Sequence, residues 1–132
     1  MDFAKKTTLK GAPAVVGSHP GGNIIQQVLV DAGVEGLNVG HVVVITDGII
    51  TQRWDGSPMI TAVDDGAGNI TMTQVALGIV TANQFEGDGS VSTLRTGTYL
   101  RDRVVLADGR ALSASNEFTL SLSHLFAEGA WL

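Results

Sequence analysis

The sequence predicts an α+β fold that is mostly β: a small, turn-rich β-barrel-like or β-sandwich domain with one or two short helices and an extended N-terminal arm. Three observations carry that prediction. Asp-Gly steps recur at Asp47-Gly48, Asp55-Gly56, Asp65-Gly66, Asp88-Gly89 and Asp108-Gly109. Gly accepts the positive φ of tight turns and Asp bonds its own backbone nearby, so each step marks a reversal. Apolar, β-branched runs lie between the steps, as strands require. Residues 1–23 have no regular period, being broken by Gly11, Pro13, Gly17 and Pro20-Gly21-Gly22.

Domain organisation follows: an arm over residues 1–23 and one compact domain over residues 24–132. A chain of 132 residues is long enough to bury a real core. With 44% hydrophobic but 5% aromatic residues, that core is built of Val, Ile, Leu and Ala. Charged residues are only 16%, below the usual quarter, which suits a surface partly covered by partner subunits.

Within the domain, Asn23 to Gly36 fits a short helix or a strand, stopped by Asp31-Ala32-Gly33. His41 to Thr46 is a continuous Val-rich run and reads as a buried strand. Asp47-Gly48 reverses the chain, and Ile49 to Trp54 returns as a second strand with Ile50 and Trp54 on one face. Met59–Val63 and Ile70–Thr73 flank Asp64–Asn69 as an added hairpin with a solvated tip. Val75 to Thr81 is another buried strand, in which Gly78 marks a bulge or the close approach of another backbone. Asn83–Gly89 is a polar loop. Val91–Leu94 and Thr98–Leu100 are strand-like, with Gly97 between them. Arg101 to Leu106 suits a short helical turn. The last element reads as a helix with Asn116 as N-cap and Glu117 in its first turn. Phe118, Leu122, Leu125 and Phe126 would share its buried face, and Gly129 would stop it. A strand over the same residues is the competing reading.

The net charge of −5 and pI near 4.9 argue against nucleic acid as a direct partner, since phosphate binding needs clustered Lys and Arg. The arm differs from the body: residues 1–10 carry +2, leaving −7 on the rest of a chain whose total is −5. A basic arm on an acidic body suits docking onto an acidic neighbour, or simple solvation. There is no Cys, so disulfide and thiolate chemistry are excluded. Neither a signal-peptide core nor an apolar run of membrane-spanning length is found, so no membrane partner is expected.

Nothing in the pattern suggests catalysis. His19, His41 and His124 lack ligand spacing, so no metal is expected. Adjacent Asp64 and Asp65 on a strand would point to opposite faces and make no dyad. Gly87-Asp88-Gly89-Ser90 lacks the Lys-Ser/Thr of a phosphate loop. Ser123 beside His124 is a sequence neighbour, not an activated nucleophile. The chain is therefore expected to be no enzyme and to use no cofactor. Trp54 reads as a core aromatic closing a hairpin or as an interface anchor.

Trp54-Asp55-Gly56, following the strand and turn from His41 to Arg53, resembles the head decoration (capsid cement) proteins of lambda-like tailed phages. Ala76-Leu77-Gly78-Ile79-Val80 and Thr96-Gly97-Thr98-Tyr99 are similar to that family's later small-Gly-Ile strand and Gly-Thr-aromatic step, in the same order. The Pro20-Gly21-Gly22 arm resembles the family's Pro/Gly-rich N-terminus. The likeness covers Gly40 to Arg103; Pro58–Gln74 looks like an insertion, and the match ends beyond Arg103.

The resemblance implies a homotrimer bound to the major capsid protein on the outer capsid surface of a virion, stabilising the expanded head. It implies an arm that adds to the shell as a strand joins an exposed edge. The arm contacts would then be Phe3, Lys5, Lys6, Leu9 and Lys10, with Trp54 in the core or the trimer seam. A tail-tube or baseplate subunit is the alternative within the virion, and a carbohydrate-binding β domain the alternative outside it.

Overall fold

The computed structural model describes residues 16–17 and 22–128. Eight strands and one α-helix follow in order: β1 (Ile24–Val30), β2 (Val42–Thr46), β3 (Ile49–Arg53), β4 (Ile60–Asp64), β5 (Ile70–Gln74), β6 (Ala76–Val80), β7 (Ser90–Tyr99), α1 (Ala114–Ser121) and β8 (Leu125–Ala127). A 3-10 turn at Arg101–Arg103 leaves β7. The domain is thus mostly β, as the turn spacing predicts.

Five strands close a barrel in the order β1-β3-β2-β6-β7, with β7 returning to pair with β1. The closing seam is long and antiparallel, from Ile24↔Thr96 to Leu29↔Ser90. Opposite it, β1 meets β3 in parallel through Leu29↔Ile49 and Val30↔Ile50. Closure removes the edges that an open sheet would expose. Strand β8 is added in parallel beside the C-terminal half of β7, and β4–β5 form a separate two-stranded sheet.

Two apolar clusters explain the sequence pattern of the central strands. Val28, Val43, Ile45, Ile50, Val80 and Val91 fill the barrel. Val42, Val44, Trp54, Leu77, Ile79, Leu94 and Tyr99 form a second cluster, completed by Leu106, Leu120 and Leu125 from the C-terminal segment. Successive residues of β2 therefore enter alternate clusters. A strand buried on both faces reads as an unbroken apolar run, which is what Val42–Ile45 presents. A Cβ at Gly78 would sit 2.7 Å from Thr93 Cγ2, 3.1 Å from Ile45 Cδ1 and 3.3 Å from the Leu94 carbonyl oxygen of β7. It is a close-approach glycine, not a bulge, because the β2–β6 register runs through it unbroken from Val42↔Ile79 to Ile45↔Ala76.

The turns obey local chemistry. Asp47 and Gly48 both have positive φ (53° and 81°), the two-residue turn that matches strand twist. The Asp55 and Asp108 carboxylates accept from the N–H two residues on, at Ser57 and Arg110 (3.0 Å each). That is the side-chain turn expected of Asp.

Three readings are corrected. Ile50 and Trp54 do not share a face: Ile50 is in the barrel and Trp54 in the outer cluster. The register of β2 and β3 slips by one between Val44 and Ile45, which breaks the two-residue period. The two strand-like pieces around Gly97 are one strand, β7. The C-terminal helix is shorter and earlier than expected. Ser113, not Asn116, is its N-cap: Ser113 Oγ accepts from Asn116 N (3.1 Å), and Asn116 Oδ1 accepts from Ser113 N (2.9 Å). Leu125 and Phe126 belong to β8, and Phe118 is 68% exposed, so no four-residue helical face exists. His124, at φ 65°, turns the chain out of the helix. From there Leu125–Ala127 gain backbone partners on β7 that a longer helix would forgo.

Candidate interaction surfaces

The arm root is fastened to β7 by several hydrogen bonds. Val16 bridges antiparallel to Tyr99, and Gly17 N donates to Thr98 O (2.9 Å). Asn23 spans the junction: its Oδ1 accepts from Thr98 N (2.9 Å), and its Nδ2 donates to Gly17 O (2.9 Å). One amide side chain thus ties the incoming segment to β7 and satisfies backbone groups on both. Gly97 makes the space. Its φ is +137°, and a Cβ there would lie 2.0 Å from Asn23 Oδ1.

The β4–β5 hairpin is the second surface. Its register, Ile60↔Gln74, Ala62↔Met72 and Asp64↔Ile70, puts Ile60, Ala62, Ile70 and Met72 on one face. All four are exposed, Met72 at 69%. A lone two-stranded hairpin is marginal in water. At the base Val75 N donates to Met59 O (2.9 Å), and at the tip Asp65 accepts from Ala67 N and from Asn69 Nδ2. The expected solvated tip is present, since Asp64–Asn69 are all exposed.

At the hairpin root opens a groove of about 670 Å3. Ile24, Met59, Ala76 and Leu122 line its apolar wall, with Arg95 and His124 on the polar side. Arg95 Nη1 donates to Gln26 Oε1 (3.4 Å). Ser123 Oγ accepts from Leu77 N (3.2 Å), so its hydroxyl is engaged in structure.

Of the residues singled out in the sequence, Phe3, Lys5, Lys6, Leu9 and Lys10 lie outside the described residues. Trp54 is 2% exposed in the outer cluster, and its Nε1 donates to Ser57 O (2.8 Å). Asp64 and Asp65 organise the hairpin turn through the N–H groups of Gly66 and Ala67. Among the described residues, no three His, Asp or Glu are grouped so as to hold a metal, and no helix is long and apolar enough to cross a membrane. Sequence reading missed the Asn23 clamp, whose two partners lie at sequence separations of 6 and 75. It also missed the uncovered hairpin face: the alternation of Ile60, Ala62 and of Ile70, Met72 places them together, and only the structure shows them uncovered.

His41 is half-buried, and its Nδ1 accepts from Asn38 N (3.1 Å). Burial first, and then the Arg53 guanidinium, hold its pKa below the usual histidine value. The unfolded chain therefore binds this proton more readily than the fold does. This histidine's share of stability is full above about pH 6.5 and is lost as pH falls from there towards the folded pKa. Melting temperature is expected to fall through that window, and His41→Gln to flatten the fall; an unchanged slope in the variant would contradict the assignment.

Compared with protein-family models, with curated proteins and with solved structures, the chain matches none.

Proposed function

We propose that the chain is a structural virion protein: a three-copy decoration (cement) protein that binds the outer surface of a tailed-phage capsid and stabilises the expanded head. The motif order from Trp54-Asp55-Gly56 to Thr96-Gly97-Thr98-Tyr99 suggests the class. The arm root is the observation that carries the reading. Val16 and Gly17 lie beside β7, fastened there by Asn23, which gives a basic leader a fixed root.

Phe3, Lys5, Lys6, Leu9 and Lys10 are the shell contacts in this reading. Ordering ten leader residues costs on the order of 10–20 kcal/mol of backbone entropy. Main-chain pairing with a shell edge and burial of Phe3 and Leu9 must offset that cost. A root already fixed lowers the number of residues left to order. Three leaders acting together raise overall binding by a factor of about 10²–10⁴ over one.

Removing residues 1–12 leaves Val16, Gly17 and Asn23 in place. The truncated protein is expected to fold and assemble as before, and to lose binding to expanded shells by at least about a hundredfold in co-sedimentation. Undiminished binding would overturn the assignment. The lysine contribution should weaken as salt is raised, because exposed charges are screened over about 8–10 Å.

A further inference from the structure

We propose that the β4–β5 hairpin of one copy seats in the groove at the hairpin root of the next copy, and that this contact is the seam of the three-copy assembly. The inference rests on the three-copy reading above and names its interface.

Two halves of one interface are present on the same chain. The hairpin offers an uncovered apolar face of Ile60, Ala62, Ile70 and Met72, with Asp64 at its outer end. The groove offers an apolar wall that includes Ile24 and Leu122, both half or more exposed.

Charge is complementary as well. From Trp54 to Leu94 the chain has five carboxylates, Asp55, Asp64, Asp65, Glu86 and Asp88, and no Lys, Arg or His. The groove carries Arg95 and His124, with Asp47 at the β2–β3 turn as its carboxylate. Asp64 shares a face with Ile70 and Met72, so one docking event brings apolar surface to the wall and a carboxylate to the Arg95 guanidinium.

A hairpin cannot fill its own groove. Met59, at its root, is part of the groove lining, and strands of five residues carry the tip about 16 Å away. Hook and socket on different parts of one surface make a heterologous contact, which closes into a ring when the rotation is a third of a turn. Seating also covers a hairpin that is otherwise bare on its apolar face, which stabilises the hairpin itself.

The test is mass in solution by sedimentation, on the full chain, with shell binding measured in parallel. Met72→Lys is expected to raise the concentration for half-assembly at least about tenfold, the effect of one buried apolar side chain. Asp64→Arg and Arg95→Asp should each weaken assembly, and the pair together should recover it. Recovery separates a seam from damage to the hairpin turn, since Arg95 takes no part in that turn. A hairpin deletion joins Met59 to Val75 through Asn-Gly, a turn that their N–H···O bond already fits; it should fold and remain monomeric.

A wild-type trimer that persists in Met72→Lys and in the hairpin deletion would overturn the seam and leave the three-copy reading standing. A wild type that is monomeric even when bound to shells would overturn both. Failure of the charge exchange to recover assembly would overturn the pairing of Asp64 with Arg95.

Discussion

Replacing Trp54 with alanine is expected to lower the unfolding free energy by about 3–5 kcal/mol, a large part of the 5–15 kcal/mol typical of a domain. The reason is position as much as size. Trp54 is 2% exposed and sits in the cluster between the barrel's outer face and the C-terminal segment. Its backbone joins the same layers: Trp54 N donates to Val42 O (2.8 Å), and Ala107 N donates to Trp54 O (2.9 Å). Removing the indole leaves a cavity that strand pairing on both sides prevents from collapsing. It also leaves Ser57 O without its 2.8 Å donor. Trp54→Phe keeps most of the buried area and loses the donor, so it should cost about 1–3 kcal/mol. Urea unfolding followed by far-UV circular dichroism measures both. A cost below about 1 kcal/mol for the alanine variant would mean that the outer cluster does not hold the C-terminal segment in place.

Gly97→Ala is the second large effect, expected to cost about 3 kcal/mol or more. At φ +137° an L side chain is strained, and its Cβ would fall 2.0 Å from Asn23 Oδ1 and 3.1 Å from Asn23 Cα. Asn23 must then leave, which breaks its bonds to Thr98 N and Gly17 O. Asn23→Ala alone should cost about 2 kcal/mol, one for each bond. The double variant should cost less than the sum, because the single changes remove the same two bonds. Strict additivity in that cycle would show that Gly97 and Asn23 do not act as a unit. Both single variants should also free Val16 and Gly17, read as faster proteolysis before residue 22 with the body intact.

The arm root links stability to the proposed role. A leader that must reach a shell gains from starting at a fixed point, and the same clamp that fixes it closes the gap between Val16–Gly17 and β1. Arg101 reinforces that end of the barrel, pairing its Nε and Nη2 with the Glu117 carboxylate (2.5 and 3.1 Å) and so holding α1 against the turn after β7. That pair is half-exposed on the arginine side, so its value is geometric more than energetic.

Reading from sequence succeeded where the cause is local. Asp47-Gly48 dictates its own turn, because both residues accept positive φ and no other part of the chain is needed. Val42–Ile45 announces a strand covered on both sides. Gly78 announces a close approach, though not the identity of Thr93 as the neighbour. The hairpin was legible as a hairpin, but its bare apolar face was not, since burial depends on what packs above it. The functional reading came from motif order, and its arm contacts fall in residues 1–15, outside the described part of the chain.

By itself the sequence determined where the Asp-Gly steps turn the chain, that the central stretches from Val42 to Val80 extend, and that the core would be mainly aliphatic. Each follows from the backbone freedom of Asp and Gly or from side-chain shape at neighbouring positions. Tertiary structure alone decided that β1 closes on both β3 and β7, that β7 runs through Gly97, and that Leu125–Ala127 pair as a strand. Those outcomes depend on partners tens of residues away. A backbone group gains its bond only when the other strand has already been placed, and no local window of the chain contains that information.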